Sequence, residues 1–143
     1  MGSDINARQD LLIEEFSFFS DWMEKYEYII ALGKSIPVID DNYKTNDYLI
    51  KGCQSQVWLH AEVKDGKVYF SADSDALITK GIIALLIKVL SDQDADEIAG
   101  ADLYFIDRIG LKEHLSPTRS NGLLHMIRQM KMYGLAATAK LEK

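Results

Sequence analysis

Val57-Trp58-Leu59-His60-Ala61-Glu62-Val63-Lys64-Asp65-Gly66-Lys67-Val68-Tyr69-Phe70-Ser71-Ala72 is the stretch that decides the fold class. Val57, Leu59, Ala61 and Val63 share one side of a period-two pattern; Trp58, His60 and Glu62 share the other. That alternation marks a half-buried strand. Asp65–Gly66 is a strong two-residue hairpin signal, because the tightest turns need positive φ at both central positions. Val68, Phe70 and Ala72 resume the alternation on the return. Upstream, Tyr48, Leu49 and Ile50 are also strand-like and lead into Gly52–Cys53. The expectation is a small antiparallel sheet of about three strands, with Gly52–Cys53 near one end.

Helical patterns lie on both sides of this stretch. Asp73-Ser74-Asp75 supplies caps for a helix over residues 76–90, which is apolar nearly all round and therefore central to the core. Before the sheet, Ile5, Leu12, Phe16 and Phe19 fall on one helical face. Asp21 and Glu24 have capping-box spacing, so a second helix starts there. Its stripe runs through Trp22, Tyr26, Ile29 and Gly33; Gly33 suits a left-handed C-terminal cap, and Pro37 forbids continuation. Residues 35–47 are polar and read as a loop. Past the central helix, Asp94 and Glu97 again have capping-box spacing, with Gly100 closing a short helix, and Gly110 ends a turn in the apolar region 103–115. Ser116–Pro117 places a cap residue before a first-turn Pro, and a long final helix follows with Leu123, Ile127, Met130 and Gly134 on one stripe. No repeat, linker or low-complexity tract interrupts the order, so residues 1–143 read as one domain.

Composition removes several function classes. The chain has 143 residues, enough for a core without disulfides or a structural metal. Its net charge of -6 argues against a general nucleic-acid binder. One cysteine cannot form an internal disulfide. Residues 1–10 lack an apolar core of signal-peptide length, and the longest apolar run, residues 82–90, is broken by Lys88. A span needs roughly 20 apolar residues, so no membrane segment is expected and the cytoplasm is the default compartment. Asp92, Asp94 and Asp96 begin like a calcium loop, but Glu97 and Leu103 stand where Gly and Glu are required. His60, His114 and His125 are too scattered for a zinc site. Arg128, Lys131 and Lys140 give the last helix a basic character, with Glu142 its only acid; a solvated face is the ordinary explanation, and docking of an acidic partner the other.

Cys53 carries the chemistry. A lone cysteine is most often a small buried hydrophobe. Here Gly52 precedes it and Gln54–Ser55 follow, which is a loop address rather than an alternating core position. Lys51 and cations elsewhere favour the thiolate, the nucleophilic form. A thiolate without a sequence-adjacent base suits attack on sulfur better than hydrolysis. A peroxidase or redox sensor would usually need a resolving cysteine, and none is present. From the residues alone, a reactive and a structural Cys53 in an interaction module both stand.

The run Ile50-Lys51-Gly52-Cys53-Gln54-Ser55-Gln56-Val57-Trp58 resembles the signature loop of the SufE family, sulfur acceptors and activators of cysteine desulfurases in iron–sulfur cluster assembly. Residues 22–33, 72–81 and 114–123 resemble further family blocks in the same order, so the likeness spans about residues 10 to 140. It implies an α+β fold with helices packed mainly on one side of the sheet, shared with IscU-type scaffolds. Those scaffolds use several cysteines as ligands, and this chain has one. It further implies that Cys53 accepts persulfide sulfur from a SufS-type desulfurase, which carries the PLP, and passes it to a SufBCD-type scaffold. The chain itself would need no cofactor or metal, and its resting thiol would be shielded. Supporting roles fall on Gly52, Gln54, Ser55, Asp75 and Arg119. Arg119 would hold the thiolate or persulfide anion, or else bond a carboxylate or carbonyl at the helix start. Asp75 is expected to cap the central helix in preference to tying down the Cys loop, and Trp58 to be a core anchor.

Overall fold

The computed structural model describes residues 2–37 and 39–141; Glu142, expected as the last helix's only acid, lies outside them. The order is α1 (Gly2–Ser17), α2 (Trp22–Gly33), β1 (Val57–Lys64), β2 (Lys67–Ser74), α3 (Leu77–Leu90), β3 (Gln93–Asp94), α4 (Ala95–Ala99), α5 (Phe105–Arg108) and α6 (Pro117–Leu141), with single 3-10 turns at Asp41–Tyr43, Asn46–Tyr48 and Lys112–His114. The sheet is antiparallel in the order β1-β2-β3. The fold is α+β, as the element pattern and the resemblance imply.

The hairpin follows its sequence closely. Pairing runs in register from Val57 opposite Ser74 to Lys64 opposite Lys67. Asp65 and Gly66 take φ of 54° and 79°, the positive values that the two-residue turn requires. Val57, Leu59, Val68, Phe70 and Ala72 are buried; α3 packs on β2, and Tyr133 of α6 meets Phe70 and the Leu59 carbonyl. Towards the turn, Val63 on the edge strand is exposed, while Val68 opposite it is buried beside β3. The third strand is not residues 48–50. Leu49 makes only an isolated bridge to Trp58, and Gln93–Asp94 pairs with Lys67 and Val68 instead.

α3 fills the centre, with every residue from Ile82 to Leu90 buried except Lys88. Gly33 is not the left-handed cap expected of it; α2 ends in Lys34 at φ -77°. Gly33 is buried and lies where α2 crosses α3. A Cβ there would come 2.9 Å from the backbone nitrogen of Gly81, and one on Gly81 would meet the carbonyl oxygen of Ile29. Two glycines thus let two helix backbones touch. α1 packs through Ile5, Leu12 and Phe16. Its Gln9 is fully buried, donating to the Asp102 carbonyl and accepting from the Phe105 N–H at 3.0 and 3.1 Å.

The second face of the hairpin is covered by the segment from Asp41 to Tyr48. Tyr43 stacks on His60, with ring centres 3.6 Å apart, and Tyr48 meets the same ring edge-on. Lys44 lies over Trp58 and pairs with Asp73 at 2.9 Å; Lys80 of α3 reaches Asp73 from the other side at 3.3 Å. Trp58 is therefore a half-buried platform on this face and not part of the main core.

Gly81→Ala should cost about 2–3 kcal/mol of stability, since the new methyl must push α2 off α3. Gly100→Ala, whose Cβ would meet nothing nearer than 3.6 Å, should change stability little. Urea unfolding followed by circular dichroism reads both.

Candidate functional site

The Cys loop is a short closed excursion from the sheet. Its stem is fixed by the Ile50 N–H bonding the Val57 carbonyl at 2.8 Å. Beside it, the Gln56 N–H donates to Asp75 Oδ1 at 3.0 Å, and the Asp75 N–H donates back to the Gln56 carbonyl at 3.3 Å. Asp75 therefore does not cap α3; that helix begins after Ala76 with no side-chain cap, and Ser74 Oγ accepts from the Ala76 N–H. An Asp one residue outside a cap position faces the neighbouring strand end rather than the helix, which is why it reaches Gln56.

Gly52 turns the loop at φ +91°, a conformation that other residues adopt only with strain. A Cβ on Gly52 would also fall on the His125 ring of α6. The next residue, Cys53, rests one turn earlier on the same helix. A Cβ on Gly122 would sit 3.4 Å from Cys53 Sγ, in van der Waals contact, so the thiol lies directly against the helix at this residue. The Cys53 S–H donates to the Gly122 carbonyl at 3.6 Å.

Cys53 is half-buried and unpaired with any other cysteine. Burial pushes its thiol pKa above the ordinary value, opposite to the expectation that Lys51 and other cations favour the thiolate. The carbonyl acceptor works in the same direction, because its lone pair faces a proton and would repel a thiolate. The resting group is a protonated thiol.

Sγ borders a cavity of about 260 Å³, lined by Gln54, Ser55, Thr79, Thr118, Arg119, Met126 and their neighbours. Of the residues expected from sequence, this brings Cys53, Gln54, Ser55 and Arg119 together. Gly52 and Asp75 are not in the lining; they shape the loop from its two ends. The Arg119 guanidinium is exposed and makes no hydrogen bond or ion pair among the described residues. Its backbone N–H completes the cap on Ser116 Oγ at 3.3 Å. The first turn of α6, residues 117–120, also lies at this cavity, and the positive end of a helix favours an anion. So the cavity that holds a neutral thiol at rest is bordered by groups that stabilise a negative sulfur.

Gly122, His125, Thr79 and Met126 are not singled out by the sequence reading. Only Gly122 carries a local signal: a glycine in a helix interior costs about 1 kcal/mol against alanine, which implies a packing reason. The contacts of the other three are tertiary. Among the described residues no helix is long and apolar enough to cross a membrane.

Comparison with known proteins agrees with the family resemblance. The chain is 40% identical over 127 residues to an uncharacterized SufE-like protein of Rhizobium meliloti, covering 85% of this chain and 91% of the relative. It is 38% identical over 130 residues to another from Rhizobium etli, covering 87% and 88%. An Arabidopsis thaliana protein named SufE-like protein 1, chloroplastic/mitochondrial, is 36% identical over 133 residues; these are 92% of this chain and 36% of that longer one. A solution structure of a hypothetical protein from Thermus thermophilus superposes with a TM-score of 0.77, covering 92% of this chain and 96% of that one; at 19% identity it speaks for the fold alone. The family pattern described as the SufE Fe-S metabolism associated domain matches residues 10–134, and with these relatives it makes the chain a member of the SufE family.

Proposed function

We propose that the protein accepts persulfide sulfur on Cys53 from a PLP-dependent cysteine desulfurase, relieves that enzyme's turnover and delivers the sulfur for iron–sulfur cluster assembly. The observation that carries this is the position of the chain's one thiol. It sits on a glycine-turned loop, over a cavity bordered by Arg119 and the start of α6, in a SufE-family chain.

The exchange balances without an oxidant. Cys53 thiolate attacks the outer sulfur of the donor's cysteine persulfide. A bond forms between Cys53 Sγ and that sulfur, and the bond to the donor's own cysteine sulfur breaks. The donor leaves as a thiolate and takes up a proton, so one S–S bond replaces another. Cys53 must first lose its proton and the Gly122 carbonyl. We place the first event in docking, which turns the loop outward and relieves the burial that holds the pKa up. Arg119, already free, then faces the anionic sulfur. Gln54 and Ser55 offer polar groups along the path. The chain supplies no cofactor of its own in this scheme; the PLP is the donor's. The recipient we propose is a scaffold of the SufBCD kind, and the compartment a reducing one, the cytoplasm, on the thiol chemistry alone.

Incubation with a cysteine desulfurase and free cysteine, without reductant, should add about 32 Da, one sulfur atom, to the intact mass. Dithiothreitol should remove it and Cys53→Ser should prevent it while folding normally. Desulfurase stimulation by Cys53→Ser equal to wild type would remove the acceptor role.

The raised thiol pKa has a signed consequence. Keeping the thiol neutral favours the shielded loop fully below the ordinary thiol pKa, and this is lost as pH rises through the elevated folded value. Alkylation of the resting protein by iodoacetamide should therefore be slow at neutral pH and titrate above the midpoint of the urea-unfolded chain. Asp75→Ala, which frees the Gln56 N–H, should speed alkylation at neutral pH with little change in melting temperature.

A further inference from the structure

A second groove follows α6 onward from the thiol cavity and shares no lining residue with it. Its volume is about 420 Å³, and it runs between residues 46–51 and α6. Lys51, His125 and Arg128 supply its basic groups, and Asp47 its one carboxylate. This is a local reversal in a chain with 22 acidic and 16 basic residues.

The two fixed cations are available. Arg8, Lys44, Lys80 and Lys88 are held by carboxylates elsewhere. No ion pair among the described residues engages Lys51 or Arg128, and both are exposed. Leu124 and Met132 stand one helical turn to either side of Arg128 on the same face, 46% and 53% exposed. Arginine and methionine beside apolar side chains is the composition of protein contact surfaces. A small inorganic anion would use the cations and leave this flank idle. A nucleic acid would meet the overall charge of -6. The groove is also coupled to the thiol by contact: Lys51 is two residues from Cys53, and the His125 ring supports Gly52.

We infer that this groove docks an acidic peptide segment of the protein that exchanges sulfur with Cys53. The inference rests on the carrier reading for the partner's identity. It rests on the groove's own charge and shape for the chemistry of the segment. Occupation sets carboxylates against Lys51 and Arg128, and places the bound segment against His125, directly under the loop that must open.

The first test is a titration of the full-length 15N-labelled protein with an oligoglutamate peptide. The amides of Lys51, Gly52, His125, Arg128 and Gln129 should shift together, and sodium sulfate at equal ionic strength should not move them as far. The second test is the double variant Lys51→Glu/Arg128→Glu. It should lose the peptide shifts and bind a desulfurase about tenfold or more weaker at low salt, with a flatter salt dependence. Its melting temperature should match wild type. Shifts scattered over the surface, equal shifts with sulfate (a small-anion site only), or unchanged desulfurase affinity in the double variant would each overturn the docking site. The peptide arm needs no sulfur transfer. Peptide binding here on a chain that desulfurases never load would keep the acidic-peptide groove and remove the carrier reading. Loading that ignores Lys51 and Arg128 would do the reverse.

Discussion

The seating of Gly52 and Cys53 on one side of α6 is the contact on which the site depends. It has two points, one helical turn apart: His125 under Gly52 and Gly122 under Cys53. The first demands a residue without Cβ in the loop, and at the second the thiol lies in contact with the helix. Because Gly52 can lie on the His125 ring, the thiol comes within bonding reach of a main-chain carbonyl of the helix. The rest follows from that distance: the desolvation of Sγ, its raised pKa, and the cavity that opens towards Arg119.

A loop so placed needs a rigid frame and a weak latch, and the structure supplies both. The frame is the buried pair of β1 and β2 against α3, continued by the Ile50–Val57 bond to the foot of the loop. The segment before the loop is fastened to the sheet's second face by stacked rings and by Lys44 on Asp73. The latch is small by comparison. Two hydrogen bonds join Gln56 to Asp75, and a long S–H contact joins Cys53 to Gly122. Each is worth on the order of 1 kcal/mol, so a partner's interface can open the loop without disturbing the core.

How far the sequence reveals this depends on the range of the interaction. The hairpin is legible because its turn and its alternation are local, and Asp65–Gly66 takes the positive φ pair that its residues require. The helix starts at Asp21 and Ser116 are legible for the same reason. Gly33 misleads because a glycine near a helix end looks like a cap; its actual use is contact with Gly81, far along the chain. Gln93–Asp94 is too short to show a period of two, so the sequence points to residues 48–50 for the third strand instead. Trp58 is placed by its own alternation opposite Val57 and Leu59, on the face that the Tyr43–Tyr48 segment covers. The Cys loop is visible by resemblance, whereas His125 beneath it is a tertiary neighbour that no spacing announces.

The same geometry explains why reactivity and protection are not in conflict here. A free, low-pKa thiolate would meet any oxidant in solution and climb the oxidation ladder. A buried neutral thiol avoids that but cannot attack. The loop separates the two states in space: the Gly122 carbonyl and burial hold the proton on inside, while an exposed, unpaired guanidinium and a helix N-terminus lie where the sulfur would carry charge. On the proposed carrier role, binding beside Gly52 would move the thiol between them. The groove of Lys51, His125 and Arg128 meets the loop at that residue. Specificity for the donor and activation of the thiol can then come from one contact, because the surface that recognises the partner is also the support of the loop.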